Sequence, residues 1–134
     1  MVAMAHAHGP FEILISDDDQ RCRESVAEAL EPQGYRTHLA SCGREAIEVV
    51  RRHFVHVMIV DMNMPDMSGL QTVMIVRTEI AAPVPSILMS ADNSRELMRQ
   101  ALEAPVESFV PKPIDIGALR HAVEQLIRRH YEDG

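Results

Sequence analysis

The chain has 134 residues and a formal net charge of −7, and its hydrophobic fraction of 46% is that of an ordinary soluble domain. The acidic balance argues against a nucleic-acid-binding surface, which needs a basic face, and no apolar run approaches the roughly 20 residues that span a bilayer. Two cysteines, Cys22 and Cys42, are too few for a disulfide framework, so we expect free thiols in one acidic, cytoplasmic domain.

From residue 11 onward, short apolar runs alternate with longer segments of helical periodicity. The runs that predict strands are residues 11–16, 35–39, 55–60, 84–89 and 108–110. Three of these runs are nearly continuous, which is typical of strands that helices cover on both faces. We therefore expect one α/β domain over residues 11–131, with a flexible tail of residues 1–10 before it and a C-terminal end of residues 132–134 after it.

Capping signals mark the helices between these strands. Ser68 and Gln71 match a capping box at the start of the third helix, and Gly34 stands where the first helix needs a left-handed residue to end. Within the third helix, the apolar spacing places Met74 beside Val73 on the buried face. Five strands that alternate with five helices predict a doubly wound parallel sheet.

Polar side chains follow four of the five predicted strands, where the carboxyl ends of parallel strands form a crevice. They are Asp17, Asp18 and Asp19 after the first strand, Asp61 after the third, Ser90 after the fourth and Lys112 after the fifth. Carboxylates gathered in one crevice repel one another, by about 4 kcal/mol per pair at roughly 4 Å and an effective dielectric constant of about 20. One lysine cannot neutralise three carboxylates, so we expect a hard divalent cation in the crevice. An open site with oxygen ligands suits Mg²⁺. Such a site is suited to accepting a phosphoryl group on a carboxylate.

Four motifs contain these residues: Ile-Leu-Ile-Ser-Asp-Asp-Asp19, Asp61-Met-Asn-Met-Pro-Asp-Met-Ser-Gly69, Leu-Met-Ser90-Ala and Phe109-Val-Pro-Lys112-Pro. Together they resemble the motifs of bacterial response-regulator receiver domains of the stand-alone, CheY-like kind. The likeness runs over about residues 11–130, in the family's order and spacing. It implies a (βα)5, flavodoxin-like fold with strand order 2-1-3-4-5.

The resemblance also implies a phosphoacceptor and a metal site. Asp61 would take a phosphoryl group from a phosphohistidine on a sensor histidine kinase or a His-phosphotransfer protein. Asp17, Asp18 and Asp61, with the backbone carbonyl of Asn63, would hold Mg²⁺, for which Mn²⁺ could substitute. The domain would then be a phosphorylation-switched binding module and not an enzyme, apart from its own phosphorylation and dephosphorylation.

Three further residues have roles by the same resemblance. Lys112 would pair with the phosphoryl oxygens, the Ser90 hydroxyl would swing toward them, and Phe109 would be the switch aromatic. The family commonly has a cis bond where Lys112 precedes Pro113. A downstream protein would bind the face formed by the fourth helix, the fifth strand and the fifth helix, around Met98. We expect a monomer or weak homodimer that binds neither nucleic acid nor membrane.

Asn63 and Asp92 stand two residues after Asp61 and Ser90, where the family tunes the access and orientation of the hydrolytic water. An amide and a carboxylate at these positions could orient water together. We therefore predict rapid self-dephosphorylation, within minutes or less.

The chain departs from the family pattern at three positions. Ser16 stands where Val is frequent, and a buried hydroxyl there needs a hydrogen-bonding partner. Pro105 stands where the family has a flexible glycine, so the turn before the fifth strand has to form without it. Phe109 lacks the hydroxyl of a tyrosine switch, which makes an inward rotamer easier to bury.

Alternative functions use the same residues. A phosphatase of the haloacid-dehalogenase type has a similar set of Asp, Ser, Lys and Mg²⁺, and Asp17 with Asp19 formally supplies its Asp-x-Asp signature. Against it, Gln20 follows where Thr or Val is usual, and the chain is short for that class. The chain could also be the receiver part of a longer regulator or hybrid kinase, or a receiver that no longer becomes phosphorylated.

Overall fold

The computed structural model describes residues 5–6, 9–80, 83–92 and 95–132. Within these ranges, the larger sheet has five parallel strands: β1 (Glu12–Ser16), β2 (Arg36–Ala40), β3 (Val57–Asp61), β4 (Ser86–Ser90) and β5 (Ser108–Pro111). They are hydrogen-bonded in the order β2-β1-β3-β4-β5. The predicted flavodoxin-like α/β fold and its strand order are therefore confirmed.

Helices connect the strands. They are α1 (Gln20–Leu30), α2 (Gly43–Arg52), α3 (Gly69–Glu79), α4 (Arg95–Glu103) and α5 (Ile116–Ile127), and α5 continues into a π-helical turn, Arg128–Glu132. None of the helices in the described ranges combines the length and hydropathy that crossing a bilayer requires. In the predicted tail, Ala5–His6 pairs antiparallel with Gly9–Pro10, while residues 1–4 and 7–8 lie outside the described residues.

Helices bury both faces of the sheet. Alternation along β1 directs Ile13 and Ile15 to one face and Leu14 to the other. Strands β3 and β4 are buried along their whole length, as their continuous apolar sequence predicts. Helices α1 and α5 cover the first face through Val26, Leu30, Leu119 and Val123, and α2 and α3 cover the second through Ala46, Ile47, Val73 and Val76.

The capping predictions are confirmed, and one burial prediction is wrong. Both halves of the capping box between Ser68 and Gln71 are present, and Gly34, with a left-handed φ of 97°, ends the 3₁₀ turn Glu31–Gln33 that directly follows α1. Met74, however, is 48% exposed, whereas its neighbour Val73 is buried. Consecutive helical residues are rotated by about 100°, and the buried face of α3 follows Val73 and not Met74.

A cluster of rings closes the opposite edge of the sheet, at the amino ends of the strands. The backbone N–H of Glu12 donates to Nδ1 of His56 at 2.9 Å, and the Tyr131 hydroxyl donates to the carbonyl of His56 at 2.7 Å. The rings of Phe11 and Tyr131 contact the His56 ring edge-on, with centroids at 5.0 and 4.9 Å. The turn after α5 is thereby attached to the starts of β1 and β3.

Candidate functional site

Backbone hydrogen bonds position the predicted site residues at the carboxyl edge of the sheet. The N–H of Asp17 donates to the carbonyl of Ala40 at 3.0 Å, and the N–H of Lys112 donates to the carbonyl of Ser90 at 2.8 Å. Asp61 is the last residue of β3, which lies between these two strand ends. The side chains therefore project from the rigid ends of strands.

Three carboxylates meet at this edge, as the strand-end argument predicts. Asp17 and Asp61 are buried, Asp18 is exposed, and one oxygen from each lies within 4.8 Å of the other two. Nζ of Lys112 lies 2.8 Å from Oδ2 of Asp17 and 3.1 Å from Oδ1 of Asp61. Three negative charges thus face one positive charge. The excess of negative charge and the set of oxygen donors fit a hard divalent cation such as Mg²⁺.

The electrostatics of the cluster raise two pKa values. Burial, followed by the negative charge of Asp17, raises the pKa of Asp61, and the hydrogen bond from Lys112 offsets only part of this. For Lys112, burial alone would lower the pKa, but the contacts with Asp17 and Asp61 outweigh it and raise the pKa. Lys112 therefore keeps its charge, while the Asp61 carboxylate is destabilised until further positive charge arrives.

The family model described as the response regulator receiver domain matches residues 13–124. The chain belongs to the response regulator receiver family. It is 30% identical over 121 residues to response regulator RR06 of Streptococcus pneumoniae serotype 2, an alignment that covers 90% of this chain and 55% of that protein. This receiver spans little more than half the length of the curated relatives that lead the comparison.

Solved receivers have the same fold over almost the whole of their length. The Francisella response regulator 1452 receiver domain is 27% identical, with a TM-score of 0.82, and the match covers 88% of this chain and 97% of that one. The Vibrio cholerae chemotaxis protein CheY4 is 25% identical, with a TM-score of 0.82, over 88% of this chain and 99% of that one. These relatives are response regulators, and the chain is accordingly a receiver of two-component signalling.

The remaining residues predicted for the receiver site are Ser90, Asn63, Asp92 and Phe109, which lie on or just after strands β3, β4 and β5. Ser90 is fully buried, and its Oγ accepts the backbone N–H of Asp92 at 3.0 Å. Asn63 and Asp92 are exposed. Phe109 is half-buried and lines a cavity of about 290 Å³ between β5 and α5, together with Leu126. The hydroxyl and the aromatic ring thus occupy adjacent strands, β4 and β5.

Gly69 closes the loop that follows Asp61. Its N–H donates to the carbonyl of Met62 at 2.8 Å, and a Cβ at this position would lie 2.5 Å from the carbonyl oxygen of Asp61 and 2.9 Å from Leu88. Only glycine permits the start of α3 to approach the phosphoacceptor candidate so closely.

Sequence reasoning missed two neighbours of Asp17. Nη1 of Arg23 donates to the Asp17 carbonyl at 2.6 Å from one turn into α1. Cys22 is half-buried, and burial followed by the hydrogen bond to Asp17 raises its pKa to about 12, which keeps the thiol protonated. Both residues lie on the first turn of α1, whose N-cap is Asp19. Counting from this predicted helix start would have placed Cys22 and Arg23 close to Asp17.

Proposed function

We propose that this receiver accepts a phosphoryl group on Asp61 from a phosphohistidine, supplied by a sensor histidine kinase or a His-phosphotransfer protein. The observation that carries the proposal is the position of Lys112, whose ammonium contacts both Asp17 and Asp61. Such a lysine can pair with phosphoryl oxygens while the Asp61 carboxylate attacks phosphorus in line. The bond from phosphorus to the histidine nitrogen breaks as the acyl phosphate forms.

Mg²⁺ would be held by Asp17, Asp18 and Asp61, with the backbone carbonyl of Asn63 as a further oxygen ligand. Bound there, the ion supplies positive charge that neutralises the phosphoryl oxygens. Support comes from the spacing of the three carboxylates and from the burial that raises the pKa of Asp61. Mn²⁺ would serve in its place, since it also accepts oxygen ligands.

Phosphorylation would change the face formed by α4, β5 and α5, which a downstream protein then binds. The Ser90 hydroxyl would leave the Asp92 N–H for the phosphoryl group, and the half-buried Phe109 would turn inward behind it. Met98 on α4 is 40% exposed and supplies apolar surface for that partner. The receiver unit would span residues 11–131, act in the cytoplasm as a monomer or weak homodimer, and catalyse nothing beyond its own phosphoryl chemistry.

The lifetime of the phosphorylated state would be short. Asn63 and Asp92 are both exposed, two residues after Asp61 and Ser90, so their side chains can bind and orient water beside the acyl phosphate. We expect dephosphorylation within minutes in Mg²⁺. A phosphorylated form that persists for many hours would contradict this part of the proposal.

A small phosphodonor tests the proposal directly. With Mg²⁺, intact-mass measurement should show a single adduct of roughly 80 Da on the wild-type chain and none on Asp61→Asn. Asp115→Asn, which removes a carboxylate at the start of α5, is the matched control and should label normally. Equal labelling of wild type and Asp61→Asn would overturn the proposal, and rapid multiple turnover of the donor would favour a phosphatase.

A further inference from the structure

The loop between Asp61 and α3, residues 62–68, has no regular secondary structure but two polar anchors. The first anchor is Asp66. Its Oδ1 accepts the backbone N–H of Gly43 at 2.9 Å, and its Oδ2 accepts that of Arg44 at 2.8 Å. The N-cap residue of α2, Cys42, makes no side-chain cap, so an acid 22 or more residues away caps this helix.

The second anchor is Ser16, the fully buried last residue of β1. Its hydroxyl lies 3.2 Å from Sδ of Met64 and 3.4 Å from the carbonyl oxygen of Cys42. The expectation that this hydroxyl needs a partner is therefore confirmed. Both partners connect Ser16, next to Asp17, with the loop and with the start of α2.

The loop also packs tightly against α2. A Cβ at Gly43 would lie 2.7 Å from the sulfur of Met67 and 2.7 Å from the hydroxyl oxygen of Thr72. The first residue of α2 therefore has to be small for Met67 to lie over it. The hydrogen bonds of Asp66 and Ser16 and the packing of Met67 therefore all hold residues 62–68 against the start of α2.

We propose that Asp66 and Ser16 are positioning residues of the phosphorylation site, which anchor residues 62–68 to the start of α2 and so hold the loop in the conformation that binds Mg²⁺. The inference rests on the proposed function, in which the Asn63 carbonyl is a metal ligand. Asn63 is exposed and lies one residue from Met64 and three from Asp66. Groups that orient metal ligands typically contribute on the order of 10-fold or more to metal affinity.

The test is a calorimetric Mg²⁺ titration of the full chain, at a temperature where circular dichroism shows each variant to be folded. Asp66→Ala removes both acceptor oxygens and should raise the Mg²⁺ dissociation constant on the order of 10-fold. Asp66→Asn keeps one acceptor oxygen but loses the charge, so it should raise the Mg²⁺ dissociation constant less than Asp66→Ala does. Ser16→Ala should raise the Mg²⁺ dissociation constant by about threefold, the effect expected from losing one weak hydrogen bond.

Asp115→Ala is the matched control, because it also removes one negative charge and one helix cap, the acceptor of the Ala118 N–H at 3.1 Å. Its Mg²⁺ affinity should stay within about twofold of wild type. Equal Mg²⁺ affinity of wild type, Asp66→Ala and Ser16→Ala would overturn the inference. Equal losses of Mg²⁺ affinity in Asp66→Asn and Asp66→Ala would also overturn it, because they would show that only the charge of Asp66 matters and not its hydrogen bonds. Failure of the wild type to bind Mg²⁺ would instead overturn the proposed function.

Discussion

The ammonium of Lys112 lies 2.8 Å from Oδ2 of Asp17, a residue 95 positions earlier in the chain. Two strands, β3 and β4, separate the strands from which these residues emerge. The contact thus crosses the carboxyl edge of the sheet, and Oδ1 of Asp61, at the end of β3, lies 3.1 Å from the same nitrogen. One cation therefore holds together the two buried carboxylates of the site.

Replacing Lys112 with Met should destabilise the receiver in the absence of divalent cations. Asp17 is fully buried, and a buried carboxylate that loses its partner typically costs about 3–5 kcal/mol. We expect about 3 kcal/mol less free energy of unfolding, measured by urea titration in EDTA, and strongly reduced labelling by a phosphodonor. Arg99→Met, which breaks exposed ion pairs with Glu96 and Glu103, should change neither quantity much. Wild-type stability of Lys112→Met would contradict the role of the contact.

The raised pKa of Asp61 predicts a specific pH dependence of stability. Below the carboxyl pKa of the unfolded chain, Asp61 is protonated in both states and contributes nothing. As pH rises from there through the folded-state pKa, the unfolded state loses its proton first, so stability falls. In EDTA at neutral pH, Asp61→Asn should therefore have a higher melting temperature than wild type. Mg²⁺ should reverse the order, because it stabilises only the form that binds it.

Thermal unfolding of both proteins across pH, with and without Mg²⁺, checks this prediction. The difference between wild type and Asp61→Asn in EDTA should vanish at acidic pH, where both carry a neutral group at position 61. A wild type that is the more stable of the two in EDTA at neutral pH would show that Lys112 already compensates the buried charge.

Gly69→Ala should disturb the site through its backbone. The added methyl would lie 2.5 Å from the Asp61 carbonyl oxygen, which cannot yield without moving β3 or α3. Overpacking of this kind costs about 1–3 kcal/mol. Gly117→Ala is the control, since its methyl would lie 3.3 Å from a side-chain oxygen of Asp115 and should change stability by less than about 1 kcal/mol. Equal urea midpoints for the two variants would contradict the close approach.

Tyr131→Phe should affect stability without affecting the site. It removes the 2.7 Å hydrogen bond to the His56 carbonyl at the amino edge of the sheet, which contributes about 1 kcal/mol. Mg²⁺ affinity should be unchanged, because the three carboxylates lie at the carboxyl edge of the sheet, opposite Tyr131. Burial raises the pKa of Tyr131 to about 12, so the phenol remains a donor over the range in which the domain is studied. A loss of Mg²⁺ affinity in Tyr131→Phe would indicate coupling between the two edges.

Periodicity and strand-end position were sufficient to predict the sheet and the acidic cluster. Asp17, Asp61 and Lys112 each follow a predicted strand, and parallel strands bring such positions to one edge. The cis bond between Lys112 and Pro113 was expected from the family resemblance. In Met74, by contrast, an apolar side chain faces solvent, and hydrophobicity alone could not distinguish it from Val73.

Contacts between distant, irregular segments could not be predicted. Asp66 caps a helix that begins 23 residues earlier, and no local pattern indicates this. The need of Ser16 for a partner followed from its burial, but the identity of Met64 as that partner depends on how the loop folds. No sequence motif involves His56, yet it lies at the centre of the ring cluster.

Borohydride reduction of the phosphorylated receiver tests the central claim most directly, because it converts only the aspartate that carries an acyl phosphate into homoserine, and peptide mapping then identifies the residue. We predict homoserine at position 61 alone, in samples phosphorylated with Mg²⁺ and not in samples with EDTA. Homoserine at position 17 or 18, or the same yield at position 61 without a divalent cation, would contradict the claim.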